Sequence, residues 1–219
     1  MLNPELARLL EHPAIWRGVS AARTEVLPTG FTALDAHLPG GGWPRSGLIE
    51  ILVSRFGIGE LSLLLPALAV LTRRPLARWC AWVAPPLEPF APALAAHGVL
   101  LERVLVIRIP NSCATENRRG ETLRTLWAFE QSLVSGACDV ALAWAEHPRL
   151  REIRRLQLAA EQGRALGVLF RSQLAVREAS HAILRVKLEA VSRGVRLTLL
   201  KSRGGRRDPV ELVLQTSGS

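Results

Sequence analysis

The chain predicts an α/β protein with a mainly parallel sheet covered by helices on both faces and antiparallel strands at its C-terminal end. Three observations predict it. Short apolar runs alternate with helix-period segments from residue 47 to residue 171, the order that builds a parallel sheet with crossover helices. The runs are apolar along most of their length, which calls for cover on both faces of the sheet. Three strand-like segments then follow with only short turns between them, too short for crossovers.

The elements follow in order. Residues 3–11 can form a short amphipathic helix with Leu6, Leu9 and Leu10 on one side. A linker runs to Pro28 and Gly30, and FTALDAHL reads as a short helix broken by glycines 40–42. GLIEILV (47–53) is the first strand. The helix of 61–73 contains Pro66, and proline is tolerated only in a first turn, so a late start or a kink is expected. Strands at 77–84, 103–109, 139–145 and 165–171 alternate with helices ending at Gly98, covering 117–137, and covering 148–162. In the second of these helices Leu123, Leu126, Trp127, Glu130 and Leu133 mark the helical period. HAILRVKLEAV, GVRLTLLKSR and PVELVLQ are expected to extend the sheet as antiparallel strands. No internal repeat is visible, and residues 215–219 read as a disordered tail.

A chain of 219 residues holds one sizeable core and little more, so we divide it into a helix and linker (1–27), a core domain (28–214) and the tail. Hydrophobic residues at 48% and charged residues at 21% exclude a disordered chain. The net charge of +9 favours nucleic acid or an acidic protein surface as partner, without choosing between them. Cys80, Cys113 and Cys138 are odd in number and widely spaced, which predicts neither a metal site nor a disulfide framework; Cys80 and Cys138 read as reduced core residues. Residues 1–16 carry Glu5 and Glu11 and lack the apolar run of a signal peptide, and no stretch reaches the roughly 20 apolar residues of a membrane span. A cytoplasmic location without membrane contact is expected.

The turn after GLIEILV is where a phosphate-binding loop belongs. The pattern G-x-x-x-x-G-K-[ST] cradles phosphates on backbone N–H groups, neutralises them with lysine and holds magnesium with a hydroxyl. Here Ser54 stands at the first glycine, Gly57 lies inside the loop, Gly59 keeps the second glycine, Glu60 replaces the lysine and Leu61 replaces the hydroxyl. A charge pair at 4 Å is worth about 4 kcal/mol at an effective dielectric near 20, and glutamate reverses its sign. Taken alone, SRFGIGEL is also an ordinary glycine-containing strand–helix turn.

LPTGFTALDAHLPGGGWPRSGLIEILV (27–53) resembles the entry to the RecA core, and the similarity in element order continues through roughly two-thirds of the chain. The resemblance implies a RecA-like core. It also implies a water-activating glutamate after the second strand, where this chain has Ala84-Pro85-Pro86 and Glu88 comes two residues late. It implies a magnesium-holding aspartate at the end of the fourth strand, where Trp144 stands and Glu146 is displaced. With all three positions altered, no ATP turnover, cofactor or metal is expected.

LWAFEQSLVSGACDVALAW (126–144), RLREIRRLQLAAEQGRALGVLFR (149–171) and LLKSRGGRR (199–207) resemble the ImuA family of RecA-like proteins from a damage-inducible mutagenesis cassette. That resemblance implies an accessory role in SOS-induced translesion synthesis. Its implied partners are an ImuB-like protein, an error-prone DnaE-type polymerase and RecA. The related division inhibitor SulA is the alternative, and an ATPase using Arg55 and Glu146 is the third.

Candidate contact surfaces are basic. Arg149, Arg151, Arg154 and Arg155 lie on a helix whose Leu150, Ile153, Leu156 and Leu158 read as buried. They form either a DNA or partner stripe or an ordinary solvated face. Lys201, Arg203, Arg206 and Arg207 flank a glycine pair and read as a hairpin tip that approaches DNA or keeps the chain soluble. Arg118, Arg119 and Arg124 open the long helix against its dipole and read as tolerated. Trp16 and Trp43 are partner anchors or core packing. The helix of 3–11 docks on a neighbouring copy, giving a homo-oligomer, or folds back. The five histidines are scattered, with no catalytic set.

Overall fold

A computed structural model describes residues 25–110, 118–192, 194–202 and 209–213. The apolar runs form one eight-stranded sheet. Its strands are β3 (Gly47–Val53), β4 (Trp79–Val83), β5 (Val104–Ile107), β6 (Cys138–Trp144), β7 (Leu166–Ser172), β8 (Leu184–Val191), β9 (Gly194–Lys201) and β10 (Val210–Leu212), in the spatial order β10-β9-β8-β3-β7-β6-β4-β5. A small antiparallel ribbon, β1 (Val26–Leu27) with β2 (Trp43–Pro44), precedes it.

Every residue of β3 and β6 is buried, as expected of central parallel strands. One face packs against α1 (Thr32–Asp35), α2 (Leu65–Thr72) and α3 (Ala91–Ala96) through Leu34, Leu68, Leu71 and Leu94. The other packs against α4 (Arg118–Val134) and α5 (Leu150–Gly163) through Phe129, Leu133, Ile153 and Leu156. Helices α4 and α5 approach closely because Gly163 has no side chain: a Cβ there would meet the Leu133 carbonyl oxygen at 1.8 Å. Helix α2 starts late, with Pro66 in its first turn. Within the 27–53 stretch, the Thr29 N–H donates to Asp35 Oδ1 at 3.0 Å, closing a turn over the buried Leu34.

Two expectations need correction. The first of the three C-terminal strands, β8, runs parallel to β3, so six strands are parallel and only β9 and β10 are antiparallel extensions. Residues 173–183 carry the chain from β7 past β3, and pairing direction depends on that path rather than on the composition of the strand. Leu150 and Leu158, expected to be buried, are 45% and 54% exposed, because one helix stripe cannot turn all four of Leu150, Ile153, Leu156 and Leu158 inward. Of the two readings of Trp43, core packing holds: the side chain, in β2, is fully buried in the core. Trp79 is half-exposed and Trp82 buried, on opposite faces of their strand. The helix of 3–11, Trp16, Cys113 and residues 215–219 lie outside the described residues.

A buried ionic cluster ties the central strands. Glu50 of β3 accepts from Arg171 of β7 at 2.8 Å and from Arg185 of β8 at 2.5 Å, and Arg171 also reaches Glu178 at 2.6 Å. Glu50 and Arg171 are fully buried. Removing the shared carboxylate leaves two buried guanidinium charges with Glu178 as the one carboxylate against them among the described residues. Glu50→Ala is therefore expected to destabilise the protein by about 3–5 kcal/mol in chemical denaturation, whereas Arg196→Ala, at the exposed Arg196–Glu211 pair, leaves the midpoint nearly unchanged.

Candidate functional site

In an open parallel sheet, the ends of neighbouring strands whose connections leave in opposite directions enclose a crevice at their carboxyl edge. Here the turns after β3, β4, β5 and β6 converge on a cavity of about 720 Å³, with Phe56, Pro85, Leu87, Arg108, Thr125 and Trp144 among its walls. Arg108 pairs with Glu88 across the rim. Glu121, Glu146 and His147 also line it, with Glu146 and His147 3.9 Å apart. Ala84, after β4, adopts a left-handed φ of 50° that costs a residue with a Cβ some strain.

The turn after β3 has the backbone of an anion nest. Gly57 (φ 87°) and Gly59 (φ 105°) take conformations open to glycine, which lets consecutive N–H groups point to one side. The nest is filled from within. Glu60 Oε1 accepts from the Gly57 N–H at 2.7 Å and Oε2 accepts from the Ile58 N–H at 2.9 Å. The carboxylate is nearly buried, at 4% exposure. Ser54 and Arg55 are exposed, and Leu61 packs against the core. Helix α2 begins only at Leu65, so its N-terminal dipole does not open directly onto the loop.

The end of β6 is aromatic. Trp144 stacks on Phe170 with centroids 4.8 Å apart and lies 6.1 Å from Trp82, and its indole N–H has no hydrogen-bond partner. An indole cannot ligate a cation, and Glu146 beside it is exposed. Among the described residues no three His, Cys, Asp or Glu side chains gather into a metal-binding group. No helix among them is long and apolar enough to cross a membrane.

The basic candidates do not form one patch. Arg149, Arg151, Arg154 and Arg155 sit at the start of α5, towards the carboxyl edge of the parallel strands, and all are exposed. Lys201 closes β9 opposite Arg185 at the other edge, where its Nζ donates to the Ser180 carbonyl at 2.7 Å. Arg203, Arg206 and Arg207 lie outside the described residues. Arg155 is paired with Glu130 of α4, and Arg119 with Glu152 of α5, which gives the latter arginine a structural reason for its place. Burial pushes the Glu152 carboxyl up, but the Arg149 N–H and Arg119 outweigh it and hold the group below the usual range.

One cluster was invisible in the sequence. Asp139, at the start of β6, receives Arg78 at 3.2 Å and has Arg45 and Arg74 each at 3.8 Å. Arg78 also donates to the carbonyls of Gly136, Gly163 and Arg164. It staples β4, β6 and the end of α5 across separations that no local pattern carries.

The geometry thus defines an α/β protein with a glycine-containing turn, closed by its own glutamate, at the mouth of a mostly parallel-sheet crevice. Comparison with known proteins places it further. It is 34% identical over 137 residues to the cell division inhibitor SulA of Edwardsiella piscicida, covering 59% of this chain and 71% of that protein. It is 32% identical over 150 residues to the protein ImuA of Caulobacter vibrioides, covering 67% of this chain and 57% of that protein. The chain therefore spans a little over half the length of its ImuA relative. The crystal structure of SulA from Pseudomonas aeruginosa superposes with a TM-score of 0.44 at 24% identity, over 57% of this chain and 97% of that one. No family model matches the chain. The chain belongs to the family of SulA and ImuA proteins.

The described cysteines are not nucleophiles. Burial pushes the Cys80 thiol up to about 12, and burial also raises Cys138. The thiolate, which is the reactive form, is therefore scarce at pH 8. Maleimide at pH 8 is expected to leave Cys80 unlabelled in the folded protein and to label it fully in denaturant, as read by peptide mass mapping. Rapid labelling in the folded state would mean that β4 opens.

Proposed function

We propose that this chain is a non-catalytic, RecA-like accessory protein of SOS-induced translesion synthesis and mutagenesis. It works through contacts with an ImuB-like protein, an error-prone DnaE-type polymerase and RecA or DNA in the cytoplasm. The observation that carries this is the Glu60 carboxylate seated on the Gly57 and Ile58 N–H groups. Those donors are what a phosphate would need, and the group already holding them carries the same sign of charge as phosphate. Leu61 has no hydroxyl for magnesium, and the indole of Trp144 supplies no carboxylate. The RecA-like assignment is supported by the loop following a central parallel strand and by the crevice at the carboxyl edge.

The damage-response context comes from the ImuA relative, whose match covers more of this chain than that of the Edwardsiella SulA. A second reading, a SulA-like division inhibitor, is favoured by the 71% of the Edwardsiella protein that the chain covers. An ATPase using Arg55 and Glu146 would need Glu60 to leave the loop.

Purification with an ImuB-like protein, and separately with RecA, tests the proposal. A stable complex of equal affinity with and without ATP is expected, together with loss of damage-induced mutagenesis and unchanged filamentation when the gene is deleted. A complex that forms only with ATP would contradict it, and filamentation on overexpression without any such complex would favour the division inhibitor.

A further inference from the structure

Helices α4 and α5 bury Leu126, Phe129, Ile153 and Leu156 against the sheet, but they also turn large apolar groups outward. Trp127 is 63% exposed, and Leu123, Leu150 and Leu158 are about half-exposed. A groove of about 220 Å³ runs between the two helices, with Leu126 and Leu156 in its floor and Leu123, Trp127 and Arg155 on its lips. Two cross-helix ion pairs, Arg119 with Glu152 and Arg155 with Glu130, span it and hold the helices in register. Both carboxylates in the groove wall are thereby neutralised. Arg151 lies one turn from Arg155 on the same lip, and Arg154 is in the next row; neither has an ion-pair partner among the described residues.

We propose that this groove docks an acidic amphipathic helix of a partner protein, with its apolar face on Leu123 and Trp127 and its carboxylates opposite Arg151 and Arg154. The occupant follows from charge and shape. An exposed tryptophan beside a shallow apolar floor, with arginines along the facing helix, has the composition of an interface centre. Helices commonly lay an apolar stripe into a groove between two others. A second copy of this basic chain would set arginine against arginine. Single-stranded nucleic acid can stack on tryptophan, but the aliphatic Leu123, Leu126 and Leu156 beside Trp127 offer no donors to a phosphate backbone and suit an apolar helix stripe. The proposal deepens the reading of the chain as a contact protein and rests on it.

The probe is a helical peptide of about four turns, with leucines at i, i+3, i+4 and i+7 and glutamates elsewhere. It is titrated into the full chain while backbone amide shifts are followed. The same peptide with lysines for glutamates, and an oligothymidine, are run beside it. Saturable shifts confined to residues 123–130 and 150–158 are expected with the acidic peptide alone. Trp127→Ala and Arg151→Glu each weaken binding by at least about tenfold, and their thermal midpoints stay near that of the wild type because both side chains are exposed. Shifts elsewhere, no saturable binding, indifference to both substitutions, or an oligothymidine that takes the groove would overturn the proposal. Absence of an ImuB-like complex would not alter these titrations, whereas a normal complex from the Trp127→Ala protein would move the contact elsewhere and leave the accessory role standing.

Discussion

The placement of the loop depends on Glu50. A glutamate in the middle of a buried strand is tolerable only with its charge matched, and here Arg171 and Arg185 match it from the two flanking strands. A slip of one residue in either pairing would turn a guanidinium to the opposite face. The cluster thus admits a single register for β3 between β7 and β8, and that register decides where β3 ends and the loop begins. Arg78 does the same at the opposite edge, joining β4, β6 and α5 around Asp139.

With β3 fixed, the loop of 54–60 reaches the mouth of the crevice with two glycines in left-handed conformations. Such a turn concentrates N–H donors and attracts a negative group whatever its source. The chain supplies its own, three residues from Gly57, so little entropy is lost in closing the contact. The aromatic stack of Trp82, Trp144 and Phe170 fills the neighbouring strand ends. The donors of the loop are thus met from within the chain, and exposed apolar side chains lie both beside the crevice, at Leu87, and on α4 and α5.

Much of the fold was legible. The strands through residue 171 could be read because continuous apolar runs bounded by helix-period segments have few other solutions. Pro66 called for a late start or a kink, and the late start is what α2 shows. The direction of β8 was not legible, since a strand's own residues do not say which neighbour it meets. At the candidate site the position of Glu60 was readable but its direction was not: aligned to a phosphate loop it faces a ligand, and in the folded turn it faces the backbone. Helical period grouped Leu123 with Trp127, and Leu150 with Leu158, yet could not tell an inward row from an outward one. The partners of Arg119 and Arg155 lie on another helix, beyond any local rule.

The most direct measurement is a titration of magnesium ATP into the isotopically labelled protein, following the backbone amides of Gly57 and Ile58. If Glu60 holds both donors, the two resonances stay in place up to millimolar nucleotide. A saturable shift of both in the micromolar range would mean that the carboxylate yields to phosphate, and that the loop is a working nucleotide site.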